Sequence, residues 1–97
     1  MEGKSVPSLF HISGYSIYFW TNEGRPIEPI HVHVAKGRPT PNATKIWISK
    51  DGKCVLCNNN SNVSDSDLSK IMKSVETNIE FVEAEWQAVF GEISYHC

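Results

Sequence analysis

A chain of 97 residues, 40% apolar and 10% aromatic, can build one hydrophobic core and is too short for a second. No apolar run approaches the ~20 residues of a membrane span, and Met1 to Phe10 lacks the pattern of an export signal, so a cytoplasmic protein is expected. The net charge of −2 says little as a total, but residues 1–53 carry seven Lys and Arg against four Asp and Glu, and residues 54–97 carry two against seven.

In chain order, Tyr15-Ser16-Ile17-Tyr18-Phe19-Trp20 is rich in strand-forming residues and ends at the turn signal Asn22-Glu23-Gly24. Arg25-Pro26-Ile27-Glu28-Pro29 breaks regular structure, because each proline lacks an amide donor and pushes its predecessor towards extended geometry. Ile30 to Ala35 predicts a second strand, closed by Lys36-Gly37-Arg38-Pro39, and Thr44 to Ser49 a third. Asp51-Gly52 then signals a tight hairpin into a fourth strand, Cys54 to Cys57. Cys54 and Cys57 have the C-x-x-C spacing. Residues three apart on a strand face opposite sides, however, and three cysteines without an export signal argue against a disulfide framework. Both are read as half-buried strand residues, and Cys97 as an exposed terminal one.

Ser64 is placed to cap a helix that starts with Asp65 and Asp67. Leu68, Ile71, Met72 and Val75 form one helical face, and Ile79, Val82, Trp86, Val89 and Phe90 continue the stripe. Thr77 followed by Glu80 is a capping-box pattern, predicting a break near residues 76–78 and two helices. Gly91 stops the second. The whole chain, residues 1–97, therefore reads as one α+β domain: an antiparallel sheet of three or four strands over about 14–57, packed against two C-terminal helices over about 65–91. Trp86 and Phe90 are expected to anchor the helix–sheet core.

The segment with chemistry as well as packing is Glu28-Pro29-Ile30-His31-Val32-His33-Val34. Alternation on a strand points His31 and His33 one way and Ile30, Val32 and Val34 the other, so the histidines are expected on the face away from the helices or at its edge. Paired imidazoles on one face serve three chemistries. They can supply two ligands to a divalent transition metal such as zinc, with Glu28, His11, Glu23 or Asp51 as candidates for a third. They can act as a general acid and base, one imidazole staying neutral because its neighbour resists a second proton. Protonated, they can grip an anion together with Arg25, Lys36 or Arg38. Against all three stands the plain alternative of two histidines on a wet sheet face. The aromatic run Tyr15 to Trp20 could be a nucleic-acid stacking face, but half of it is needed for the core.

Ser8-Leu9-Phe10, Gly14 to Phe19, Asn22-Glu23-Gly24, Glu28 to Val34, Gly37, Ala43 to Ile48, Val55 to Asn58 and the stretch from Asn78 through Trp86 to Phe90 resemble the small bacterial family catalogued as domain of unknown function 4160. The sharpest shared motif is a proline-led His-x-His, in which Pro29 matches the first of two prolines and Ile30 replaces the second. Members of that family are suspected components of two-gene, toxin–antitoxin-type modules. The resemblance implies that His31 and His33 are the functional residues, and that the target is anionic, RNA or a nucleotide, or a small acidic partner protein. The expected function is thus a module component using a basic, histidine-bearing face. A small metal-dependent or acid–base hydrolase and a binding domain without catalysis are the alternatives. The charge split would also let the acidic helices of one copy dock on the basic sheet of another in a homodimer.

Overall fold

The computed structural model describes residues 8–21 and 26–97. Five strands, β1 (Ser8–Ile12), β2 (Tyr15–Tyr18), β3 (His31–Lys36), β4 (Thr44–Ile48) and β5 (Cys54–Asn58), precede α1 (Asp65–Thr77) and α2 (Ile79–Phe90). The strands pair antiparallel in sequence order, β1-β2-β3-β4-β5, so β1 and β5 are the edges. The α+β class is as expected, but the sheet has five strands and not three or four. The additional one is β1. Its Leu9, Phe10 and Ile12 do not alternate cleanly, and its turn is only two residues long. Ser13 and Gly14 both have positive φ, 52° and 82°, between the paired residues Ile12 and Tyr15. Two left-handed residues match the right-handed twist of a hairpin, and Gly14 adopts that conformation at no steric cost. The expected turn at Asn22-Glu23-Gly24 lies outside the described residues.

Ser64 caps α1, its hydroxyl accepting from the Asp67 amide at 3.2 Å. The helices break at Asn78 as predicted, but by a different device from the expected capping box. Asn78 carries no side-chain cap bond for α2. Instead the Thr77 hydroxyl donates back to the Lys73 carbonyl and the Asn78 amide to the Ser74 carbonyl, so both side chains close α1 and do not open α2. Gly91, left-handed at φ 77°, ends α2 with its N–H on the Gln87 carbonyl. The chain then turns back over the sheet end, where the Ile30 amide donates to the Ser94 carbonyl and the Lys50 amide to the Cys97 carbonyl.

Leu68, Ile71, Val75, Val82 and Trp86 bury one face of the sheet, made of Ile17, Val32, Val34, Ile46 and Ile48. Trp86 is fully buried, its ring centroid 4.9 Å from that of Phe19 and 4.5 Å from that of Phe90. This is the anchor the apolar stripe predicts. Val89, expected in the same stripe, is 41% exposed. The cysteines are free, Cys54 half-buried and Cys57 and Cys97 exposed. Burial pushes the Cys54 thiol up to about 12, which keeps it protonated and inert.

Candidate functional site

Register fixes what shares the other face of the sheet. His31 pairs with Trp47 and His33 with Lys45 across β3 and β4, and Tyr18 pairs with His33 across β2 and β3. Directly paired residues lie on the same side, so Tyr18, His31, His33, Lys45 and Trp47 form one patch on the alternation opposite Val32 and Val34, at whose margin the His31 ring also meets Trp86 of α2. The patch is not wet. His31 is 1% and His33 8% exposed, and Tyr18 and Ala35 are buried with Ala43 from the β3–β4 connection in a second small cluster. The Tyr18 hydroxyl donates to the Thr40 carbonyl and accepts from the Thr40 amide, tying that connection down over the face. Among the described residues no cavity opens here.

The two imidazoles stand edge to face with centroids 5.0 Å apart, and His31 also lies 5.3 Å from Trp86 and 5.7 Å from Trp47. His31 Nδ1 is 2.9 Å from the Pro29 carbonyl. A carbonyl only accepts, so the proton sits on Nδ1 and the lone pair on Nε2. Among the described residues, His33 Nδ1 is buried with no hydrogen-bond partner, as is the Trp86 indole N–H. Burial holds His31 down at about 4 and His33 below its ordinary value, because a charged imidazole loses its water there. Both are neutral at physiological pH. That removes protonated histidine as the grip on an anion.

Glu28 does not turn towards the histidines as a free carboxylate. It takes the Lys45 ammonium at 2.5 Å, and the hydrogen bond from Lys45 holds its carboxyl below the usual range. Lys45 lies 4.3 Å from the Trp47 ring centroid, and His96 of the C-terminal segment stacks on the same indole at 4.4 Å and 10°. Lys45, Trp47 and His96 are site residues that sequence reading missed. The Lys-x-Trp spacing at 45 and 47, with apolar Ile46 and Ile48 between and after, was the available signal for the first two. Nothing in the sequence announced His96.

The other candidates are spread out. Lys36 is exposed at the end of β3, on the helix-side alternation, over the Tyr15 ring. Arg38 is exposed in the β3–β4 connection, and His11 and Asp51 are exposed on β1 and in the β4–β5 turn. Arg25 and Glu23 lie outside the described residues. Among the described residues no three His, Cys, Asp or Glu side chains are placed to hold a metal ion, and no helix is long and apolar enough to cross a membrane.

The fold and the buried histidine patch belong to a small α+β domain built on a His-x-His strand. The family model described as "Domain of unknown function (DUF4160)" matches residues 14–87. The chain belongs to that family. No curated protein and no solved structure matches it. The matched stretch takes in β2 to β5, α1 and most of α2, and leaves out β1 and the C-terminal segment carrying His96.

Proposed function

We propose that this domain is a binding component of a two-protein bacterial module, docking through the cations of its β3–β4 region onto an acidic partner protein or another anionic target. The observation that carries this reading is how charge divides between layers. Lys36, Arg38, Lys45, Lys50 and Lys53 all come from β3, β4 and their connections. The helices and the segment after them hold seven acidic residues against Lys70 and Lys73. Lys36 and Arg38 are exposed, whereas the histidines are buried and neutral. The charge that attracts an anion therefore comes from Lys and Arg, with Lys45 on the histidine face and Lys36 on the opposite alternation over the Tyr15 ring. Exposed cations steer association and lose their pull as salt rises.

Copurification from the native operon, followed by a salt titration of the complex, tests the proposal. Lys36→Glu/Arg38→Glu should abolish capture while leaving the melting transition in place. Unchanged capture by that variant would remove the β3–β4 cations from the interface. Induction of the chain without its partner should arrest bacterial growth if it is the harmful member of the pair.

A second reading, acid–base hydrolysis, draws on the tautomer of His31, whose Nε2 is left as the basic nitrogen by the Pro29 bond. It needs the β3–β4 connection to lift, and it predicts turnover that His31→Gln removes without unfolding the domain.

A further inference from the structure

The peptide that joins Pro29 to Ile30 is engaged on both sides. Its carbonyl is the 2.9 Å acceptor of His31 Nδ1, and its N–H donates to the Ser94 carbonyl at 2.9 Å. The C=O and N–H of a trans peptide point in opposite directions within one rigid plane, so a bond that fixes the N–H also fixes where the carbonyl aims. Donation to Ser94 polarises the same unit and makes the Pro29 carbonyl a stronger acceptor. This peptide lies ahead of the sheet ladder, since β3 begins at His31. The bond from the Ile48 amide to the Ile30 carbonyl, at 3.1 Å, holds the next peptide along and not this one.

The Ser94 carbonyl belongs to the segment after α2, residues 92–97, which is anchored along its length. Ile93 and Tyr95 pack on the main core, and the Tyr95 hydroxyl donates to the Glu83 carboxylate at 3.2 Å. The Cys97 carbonyl accepts from the Lys50 amide at 3.0 Å, and His96 stacks on Trp47. That stack reaches His31 by a second route, because the Trp47 ring stands near-perpendicular to the imidazole at 5.7 Å. One short segment thus bears on His31 through the peptide at Nδ1 and through the indole beside the ring. The other rings against His31, those of His33 and Trp86, come from β3 itself and from α2.

We propose that residues 92–97 are a strap that sets which nitrogen of His31 carries the proton. The tautomer of an imidazole follows from the hydrogen bond one of its nitrogens makes. Docked, the strap aims the Pro29 carbonyl at Nδ1 and leaves the basic lone pair on Nε2. Released, the Ile30 amide turns to water, Nδ1 loses its aligned acceptor, and the ring populates both tautomers. Ser94 is therefore a positioning residue that acts through one peptide plane. What this means for chemistry rests on the acid–base reading above, in which Nε2 is the base; the effect on the tautomer does not.

Nitrogen-15 NMR of the imidazoles in the full chain tests it at neutral pH, where burial keeps His31 uncharged. Protonated and bare ring nitrogens resonate far apart, so the tautomer is read directly. Wild type should show His31 protonated at Nδ1 alone, with that proton slow to exchange. His96→Ala/Tyr95→Phe loosens the strap at two side chains outside β3. It should quicken exchange of the Ile30 amide and of the His31 Nδ1 proton about tenfold, what the net loss of one hydrogen bond amounts to, and bring in the Nε2-protonated form. Ile30→Pro deletes the donor with the strap side chains intact and should shift the tautomer further. If that variant does not fold, the double variant decides alone. A folded variant that keeps His31 wholly in the Nδ1 form with a slow proton overturns the proposal, because the contact with Pro29 would then suffice by itself. An unmoved Ile30 amide in the double variant overturns it too, as does a wild type protonated at Nε2. None of these readouts needs turnover, so a lack of hydrolysis would sink the acid–base reading and leave the strap standing.

Discussion

On the helix side of the sheet, Ile17, Val32, Val34, Ile46 and Ile48 are fully buried beneath Val75, Val82 and Trp86. On the other side Tyr18 and His31 are buried as deeply, His33 nearly so, yet what covers them is chiefly a connection and a C-terminal segment, with α2 reaching His31 only through the Trp86 ring. Both faces are dry. One is filled with groups that have no business with water, the other with imidazoles that give up charge to be there and a phenol whose hydroxyl exchanges water for Thr40. Apolar burial contributes roughly 25 cal/mol per Å² whatever the pH. Burying a titratable group works only while that group stays neutral. The difference makes the first face the source of stability and the second the place where stability can be modulated.

The largest effect should come from emptying the apolar side. Trp86→Ala removes a fully buried ring packed on Phe19, Phe90 and His31, and such truncations cost about 3–5 kcal/mol. A domain this size has about 5–10 kcal/mol in total, so the variant should unfold at much lower denaturant or not fold at all. A cooperative melt close to that of wild type would show that the helix side does not carry the fold.

Acid should act on the histidine side instead. His31 titrates near 6.5 when unfolded and at about 4 when folded. Between those values the unfolded chain binds the extra proton, so stability rises with pH there. The contribution is complete above pH 6.5, falls as pH drops, and is gone below about 4; it amounts to roughly 3 kcal/mol. His33 is shifted the same way and adds to the trend. Denaturant midpoints between pH 7.5 and 4.5 should therefore fall steeply in wild type and less steeply in His31→Phe, which keeps the ring volume without the proton. Parallel pH profiles for the two proteins would contradict the burial argument.

Much of this contrast was legible in the sequence, because it rests on alternation. His31 and His33 against Ile30, Val32 and Val34, and the stripe from Leu68 to Trp86, assign the faces before any coordinates. The burial of the histidine face was not legible. What covers it, besides the Trp86 ring at His31, is the β3–β4 connection, held by the Tyr18 hydroxyl on Thr40, and the segment that brings His96 onto Trp47. Both are long-range contacts between irregular segments, for which sequence carries no periodic signal. β1 was missed for a related reason: a short edge strand with an imperfect alternation looks like a leader into the domain. The charge split was visible as a sum over halves, but only the structure shows that Lys36 lies on the helix-side alternation and that the Glu28 carboxylate is bonded to Lys45.

A smaller loss is expected where the connection is tied down. Tyr18→Phe removes one hydroxyl that both donates to and accepts from Thr40, leaving two backbone groups to find other partners, at roughly 1–2 kcal/mol. The informative readout is local. Amide exchange should quicken in residues 37–43 and at His33 while the helices keep their protection. Uniform loss of protection would mean that the connection and the sheet open together, and that the two faces are not separable.

The smallest change in stability should come from Glu28→Gln, and it bears most directly on function. The Glu28–Lys45 pair is bonded at 2.5 Å, but Glu28 is 44% exposed, and exposed pairs are worth about 0–1 kcal/mol once water and salt screen them. The melting temperature should hardly move. What changes is the field above the histidine face, since the pair is neutral in wild type and leaves Lys45 uncompensated in the variant. If the β3–β4 cations dock an anionic target, Glu28→Gln should bind it more tightly, with the gain fading as salt rises, and Lys45→Met should bind it more weakly. Equal binding by all three proteins would leave Lys45 as a prop for the Trp47 ring and confine the interface to the exposed end of β3 and the connection that follows it.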